Sequence, residues 1–221
     1  VSQVREAADG LAVTVRPTSG GPAFDLTCGA VILATGAANH LSQAWGVAGE
    51  PIMGASLSLY TEGTPPEGLE FRFATDLKPG YAWAFPMATR LNIGLCALGP
   101  DSAATLRARA AIFAEGWPAA SDATWRGGGH ALWSGEGTTW HHPAGVISCG
   151  DAAGLTDPHS AEGITAALRS GAAAGAAIAR FLQRRSARVL ANYSAWVKDF
   201  GTDRYQRFTA ELLLWRIWAG A

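Results

Sequence analysis

The sequence is poor in cysteine. Cys28, Cys96 and Cys149 are the only three in 221 residues. They are odd in number, far apart and set inside apolar runs, which excludes a disulfide framework and a Cys-x-x-Cys metal site. A reduced, cytoplasmic compartment suits them. Charge of one sign is also lacking, with Lys+Arg 17 against Asp+Glu 18 and a formal net charge of -1. No basic field draws a nucleic-acid backbone, so nucleic acid is excluded as a partner. Nor does any apolar run reach the roughly 20 residues of a membrane span. The Ala-rich stretch near 172–179 is closed by Arg169 and Arg180. A spanning helix is therefore not expected, while peripheral contact with a membrane surface stays open. No internal repeat and no low-complexity linker is found. The chain opens on Val1 in strand-like sequence, without an initiator Met, a signal peptide or a capped first element, and is expected to enter mid-protein.

What is present reads as a globular enzyme, with 48% hydrophobic and 16% charged residues, a balance that excludes a long disordered tract. Residues 1–34 alternate as strands, with Asp9-Gly10 as a hairpin turn. The continuous apolar run 30–34 is expected to be a strand buried on both faces, stopping at Thr35-Gly36. Strand-like runs from Ile52 to about Leu98, broken at Gly63-Thr64-Pro65-Pro66, Pro79-Gly80 and Gly99-Pro100, predict a mostly antiparallel sheet. Asp101 to Glu115 reads as a helix with Asp101 as N-cap, ended by Gly116-Trp117-Pro118. A short buried strand, 146–149, precedes a long helix expected to begin near Glu162, with Ser160 as its N-cap. Gly163, Ala167, Gly171, Gly175 and Ala179 recur every four residues and predict a close-packed face of that helix. Two more helices are expected, at about 188–199 and 203–218.

The stretch most informative about chemistry is Gly150-Asp151-Ala152-Ala153-Gly154, followed by Pro158-His159-Ser160-Ala161-Glu162-Gly163-Ile164. Strand, glycine turn and helix N-terminus bring free backbone N–H groups and the positive end of the helix to one place. An Asp at the strand end accepts hydrogen bonds from a polyol, and the helix end stabilises negative charge on a reduced ring. Those are the needs of a flavin. The segment resembles the second FAD motif of the para-hydroxybenzoate hydroxylase-like superfamily and, within it, of the geranylgeranyl reductase family. That resemblance implies FAD, with Asp151 on its ribityl or pyrophosphate portion and the amides around Gly163 and Ile164 on the flavin ring edge. Gly150, Gly154 and Pro158 belong to the same motif. Ala161 departs from it, standing where the family has the first Gly of GEGI, and a right-handed or extended backbone is expected there.

Pro79-Gly80-Tyr81-Ala82-Trp83-Ala84-Phe85-Pro86 resembles the family's YxWxFP signature, which implies a substrate side formed by Tyr81, Trp83, Phe85 and Pro86. In an extended strand the three rings share one face and suit a flat ring or a polyprenyl chain. The family's following GxG is met only by Gly94. Ala34-Thr35-Gly36 resembles the ATG stretch that passes the nucleotide half of FAD, adding Thr35 and Gly36 to the cofactor residues. The motifs occur in the family's order, from about Val1 to Phe181. The family's opening GxGxxG turn, which cradles the pyrophosphate, is not found, because no glycine cluster, Gly127-Gly128-Gly129 included, follows a strand and opens a helix in that way.

The resemblance implies an α/β fold: an incomplete glutathione-reductase-like FAD-binding domain over residues 1–50 and 140–182, an inserted mostly antiparallel substrate domain over 51–139, and C-terminal helices over 183–221. The implied activity is reduction of carbon–carbon double bonds in an isoprenoid-like substrate by reduced FAD, with NAD(P)H or another reductant as electron donor. The fragment alone is expected to be inactive. A flavin monooxygenase or halogenase of the same fold would instead react rapidly with oxygen when reduced, and a non-catalytic scaffold would not bind FAD at all. His159, in the loop before the flavin-facing helix, is the one candidate proton donor against a plain surface role. His141-His142 read as a solvated loop, since adjacent side chains of an extended chain diverge and do not share a metal. Trp215 and Trp218 read either as core or as contact with a lipid surface.

Overall fold

Alternating apolar residues at the start of the chain fold into an antiparallel meander of β1 (Gln3–Ala7), β2 (Gly10–Val15) and β3 (Phe24–Cys28). Ala7 pairs with Gly10, so the two-residue turn is Ala8-Asp9, and Gly10 is the first paired residue. Its φ of 138° and the Cys28 carbonyl, 2.5 Å from where a Cβ would stand, admit only glycine. The computed structural model describes residues 1–48, 52–61, 67–73, 80–98, 102–115, 124–132, 139–158 and 160–218. These divide into two compact units, Val1–Pro51 with Ala131–Ala221, and Ile52–His130.

In the first unit β4 (Val31–Leu33) lies parallel to β11 (Val146–Ser148), and β11 lies antiparallel to β10 (His141–His142). His141 and His142 are thus half-buried strand residues, not a solvated loop. The His142 ring meets Trp45 edge-on at 4.9 Å, and burial lowers the pKa of His141, helped by the charge of His142. Leu33 is buried, but Ile32 is 37% exposed, so β4 is covered on one face and not on both. Among the described residues it pairs with β11 alone. A short α1 (His40–Ala44) follows.

Two long helices, α3 (Ile164–Arg184) and α4 (Ala187–Trp218), complete this unit. The Ala-rich sequence of α3 has high helix propensity, and its buried stripe is Ala166, Ser170, Ala174, Ala177 and Phe181. The glycine stripe expected to pack closely is a different face. Ala167 and Gly175 are exposed, and a Cβ at Gly171 or Gly175 would meet nothing within 4 Å. The buried stripe wins because Phe181 and Leu190 supply larger apolar area than glycine can, in one core with Ile147, Tyr193 and Val197. α4 is one helix where two were expected. Gly201 sits inside it, and its cost of about 1 kcal/mol is too small to break a helix that packs on α3. The side chains of Trp215 and Trp218 lie outside the described residues. No described helix is long and apolar enough to cross a membrane.

The second unit is a five-stranded antiparallel sheet in the order β6 (Glu70–Arg72), β7 (Gly80–Pro86), β8 (Leu91–Leu98), β5 (Ile52–Thr61), β9 (Arg126–Leu132). Period-two alternation puts Leu59, Ala82, Ala84, Ile93, Leu95 and Ala97 on one face. Leu95 and Ala97 pack with Leu106 and Ala110 of α2 (Ser102–Glu115). The opposite face carries Tyr81, Trp83 and Phe85. Asp101, Gly116, Trp117 and Pro118 lie outside the described residues.

Candidate functional site

In the first unit the site is built where β11 ends. The buried hydroxyl of Tyr193 donates to the Ser148 carbonyl at 2.6 Å and anchors the strand from below. Burial raises the Tyr193 pKa, so the phenol keeps its proton. After Cys149 the chain turns through one short helical turn, Gly150–Ala153, which Gly154 closes in the left-handed conformation at φ 70°. Gly150 is also left-handed (φ 58°), and its amide donates to Ser170 Oγ at 2.9 Å, which ties the turn to α3. Asp151 is thereby held half-buried at the strand end, and its carboxylate has no hydrogen-bond partner among the described residues.

The loop leading into α3 comes back against this turn. A Cβ at Gly163 would stand 2.9 Å from Asp151 Oδ1 and 3.2 Å from Thr156 Oγ1, so glycine is what lets the two segments meet. Thr156 is fully buried and its hydroxyl lacks a partner. An unmade buried hydroxyl costs about 1–3 kcal/mol, a cost that a ligand atom bonded to it would remove. Gly163 is the helix N-cap without a side-chain cap bond. Glu162 Oε1 accepts from the Thr165 amide at 2.6 Å and Ser160 Oγ from the Glu162 amide at 3.3 Å. The amides of Gly163 and Ile164 are left without a partner in the described chain. One carboxylate, one orphan hydroxyl and two free amides at a helix N-terminus fit a group that is polyol on one side and anionic on the other. FAD is such a group. Pro158 is buried in the same loop, and His159 lies outside the described residues.

Two expectations about this loop do not hold. Ser160 is not the helix N-cap: its amide and hydroxyl both turn back to Asp157 Oδ1, at 2.9 and 3.1 Å. Ala161 is left-handed, at φ 54°. The cause is the closed turn around it, in which the Asp157 amide donates to the Glu162 carbonyl and the Ala161 amide to the Asp157 carbonyl, both at 2.9 Å. Thr35 and Gly36 follow β4, with Gly36 at φ 67° and open space beside it. Cys149 N bonds Leu33 O at 3.1 Å, which keeps the ends of β4 and β11 side by side.

The second unit carries a different set on the sheet face away from α2. Tyr81, Trp83 and Phe85 form a ladder of rings, with centroids 5.9 and 6.0 Å apart. Phe71 and Phe73, which lie outside the YxWxFP run, extend it. Phe71 lies 5.6 Å from Tyr81 and 5.1 Å from Phe85, and Phe73 lies 5.9 Å from Tyr81. Their alternation around Arg72 was the available signal. The Trp83 indole lies over Gly94, where a Cβ would be 2.2 Å from the ring, and its Nε1 donates to Asn92 Oδ1 at 2.7 Å. Gly94 is the first glycine of the expected GxG pattern. At the second stands Cys96, beside Tyr81, with its thiol pushed up by burial and pulled the other way by hydrogen bonds from Tyr81. Pro86 ends β7.

A search of protein-family models finds no match, and neither does a search of curated proteins. Solved structures do match. A geranylgeranyl bacteriochlorophyll reductase-like protein from Thermoplasma acidophilum superposes with a TM-score of 0.78 at 19% identity, over 93% of this chain and 55% of that one. The fold is that of the FAD-dependent oxidoreductases. The myxobacterial chondrochloren halogenase shares it, with a TM-score of 0.68 at 20% identity over 94% and 52%. So does a probable FAD-dependent monooxygenase from Pseudomonas aeruginosa, with 0.60 at 17% over 92% and 60%. The chain thus spans between about half and three fifths of the length of these three proteins.

Two substitutions test this geometry. In Ala161→Gly, relief of a left-handed Cβ, about 1–2 kcal/mol, outweighs the extra freedom of an unfolded glycine, about 0.4–1 kcal/mol. Thermal unfolding should show a net gain of about 0.5–1 kcal/mol; a loss would mean that residue 161 is not left-handed. Gly94→Ala should cost about 1–3 kcal/mol by overpacking and displace the Trp83 ring. Unchanged stability and tryptophan fluorescence would show that the indole does not rest on residue 94.

Proposed function

We propose that the chain is the C-terminal part of an FAD-dependent oxidoreductase that reduces carbon–carbon double bonds of an isoprenoid-like substrate. The observation that carries this reading is the unpartnered cluster of the Asp151 carboxylate, the Thr156 hydroxyl and the Gly163 and Ile164 amides at the start of α3. Asp151 and Thr156 would hold the polyol portion of the cofactor, the two amides would face the polar edge of the ring, and Thr35-Gly36 would pass the nucleotide half. When bound, FAD supplies hydride from N5; the protein orients it and keeps water away. NAD(P)H or another reductant would recharge it. In this reading residues 51–139 are the substrate domain, and the ring ladder of Tyr81, Trp83 and Phe85, with Phe71 and Phe73, is the wall for an apolar, lipid-like substrate.

The FAD site would be completed by a strand and helix carrying the pyrophosphate cradle. Among the described residues, the unshared edge of β4, the exposed Ile32 and the open stripe of Ala167, Gly171 and Gly175 on α3 support such a seat. A parallel strand with one neighbour and one bare face is the exception among sheets of this kind. The present chain by itself should therefore lose FAD on gel filtration.

In the completed polypeptide Asp151→Ala should weaken FAD binding by the 1.5–3 kcal/mol, roughly, of a charge-assisted hydrogen bond, at least about tenfold. Equal affinity in variant and parent would remove Asp151 from the site. The reaction itself is tested by reducing the bound flavin without oxygen and adding a polyprenyl acceptor. Reoxidation with formation of the saturated chain is expected. No reoxidation by the acceptor, with rapid oxygen consumption instead, would replace this reading with a monooxygenase or halogenase.

A further inference from the structure

Hydride on one carbon of a double bond leaves the other carbon in need of a proton, and the second unit holds a pair of side chains suited to give it. Ser56 Oγ on β5 and His130 Nε2 on β9 share a hydrogen bond of 2.8 Å. Ala55, Leu57 and Leu59 turn toward α2, so Ser56 and Ser58 belong to the face of the ring ladder. Tyr81 is paired with Cys96 and Cys96 with Ser56, so the Ser56–His130 pair continues the Tyr81 row across the sheet. Two interstrand steps of about 5 Å each separate Tyr81 from Ser56. The glycine run 127–129 matters here. A Cβ at Gly128 would stand 3.4 Å from Ser56 Oγ and 3.8 Å from His130 Nε2. Gly128 is exposed, so its missing side chain leaves one side of the pair uncovered.

Protonation decides which way the bond runs. A neutral imidazole with its proton on Nδ1 accepts from the serine hydroxyl. In the imidazolium both nitrogens carry protons, so Nε2 donates to Oγ and the hydroxyl proton turns toward whatever lies on the face. His130 is half-buried, and its Nδ1 is neither buried nor partnered among the described residues, so water can solvate the charged ring. The titratable or charged groups on this face are Cys96 on β8, Tyr81 on β7 and Arg126 on β9 itself, and no described strand lies beyond β9. Among the described strand residues this face carries no carboxylate, so the pair lacks the third member that orients the base of a hydrolytic triad.

We propose that His130, acting through Ser56, supplies the proton of the double-bond reduction. The proposal rests on the substrate role given to the ring ladder and names the proton donor of that reaction. Hydride from reduced FAD brings both electrons to one carbon. As the π bond opens, the other carbon takes the Ser56 hydroxyl proton and Oγ takes the Nε2 proton. The neutral pair, uncovered at Gly128, regains a proton from water once the saturated product leaves. Ser56 is the catalytic residue, and His130 is the positioning residue that recharges it.

The completed polypeptide is the material for the test. Without FAD, imidazole nitrogen spectra follow His130 through a pH titration. Ser56→Ala should shift the Nε2 resonance; an unmoved resonance would show that no pair exists and overturn the proposal. With the flavin reduced and oxygen excluded, single-turnover reoxidation by a polyprenyl acceptor should be fast while His130 is charged. The rate should fall with rising pH over the range in which those nitrogen resonances titrate. His130→Gln keeps an amide beside Ser56 but does not titrate. It should react at least about a hundredfold more slowly and lose the pH dependence, with acceptor binding unchanged. Ser56→Ala should share that loss, and Ser56→Thr, which retains a hydroxyl, should restore most of the rate. A parent rate that ignores the His130 titration, or a His130→Gln rate and profile equal to the parent's, would overturn the relay and leave isoprenoid reduction standing. No reduction by the parent, with the nitrogen spectra as expected, would overturn isoprenoid reduction and the relay with it.

Discussion

A Cβ at position 163 would stand 2.9 Å from the Asp151 carboxylate, and the absence of that one carbon lets the turn after β11 meet the start of α3. Everything proposed for the cofactor depends on this contact. It requires β11 to end at a fixed height, which the bond from Tyr193 to Ser148 and the pairing with β4 provide. It also requires a tight turn, which left-handed Gly150 and Gly154 provide. Given both, the unpaired atoms Asp151 Oδ1, Thr156 Oγ1 and two backbone amides converge without any further device. A polar cluster held ready in a partly dry place is what a charged, ring-bearing cofactor needs; the half-buried Asp151 carboxylate is already in position, and the fully buried Thr156 hydroxyl is the one atom that must be uncovered.

The second unit obeys a parallel rule with opposite chemistry. There a glycine, Gly94, makes room for the Trp83 indole to lie flat on the sheet, and Asn92 fixes its polar edge. The outcome is an aromatic wall whose rings cannot collapse into the sheet's other face, already filled by Leu95, Ala97 and α2. Missing side chains thus shape both sites.

Much of this was legible in the sequence. The alternation of β5 to β8, the one-sided ladder of Tyr81, Trp83 and Phe85, and the strand-turn-helix around Asp151 all follow from periodicity and local chemistry. Other features depend on tertiary closure. The handedness of Ala161 is decided by the turn that Asp157 and Glu162 close around it, not by its own preference. Which stripe of α3 is buried depends on where Phe181, Leu190 and Tyr193 meet, and a spacing of four residues is shared by several stripes of one helix. The break expected in α4 failed because packing on α3 outweighs one glycine. Thr156 carried no signal at all: a threonine in a loop becomes informative only when it proves to be buried and unpartnered.

If the start of α3 is the proposed cofactor seat, the Gly163 and Ile164 amides receive the flavin. Amide nitrogen–proton correlation spectra of the completed polypeptide, recorded with and without FAD, test it most directly. The Gly163 and Ile164 resonances should move most, together with those of Thr35, Gly36 and Asp151. If FAD binds and shifts other amides while those of Gly163 and Ile164 stay in place, the cofactor lies elsewhere and the account is wrong.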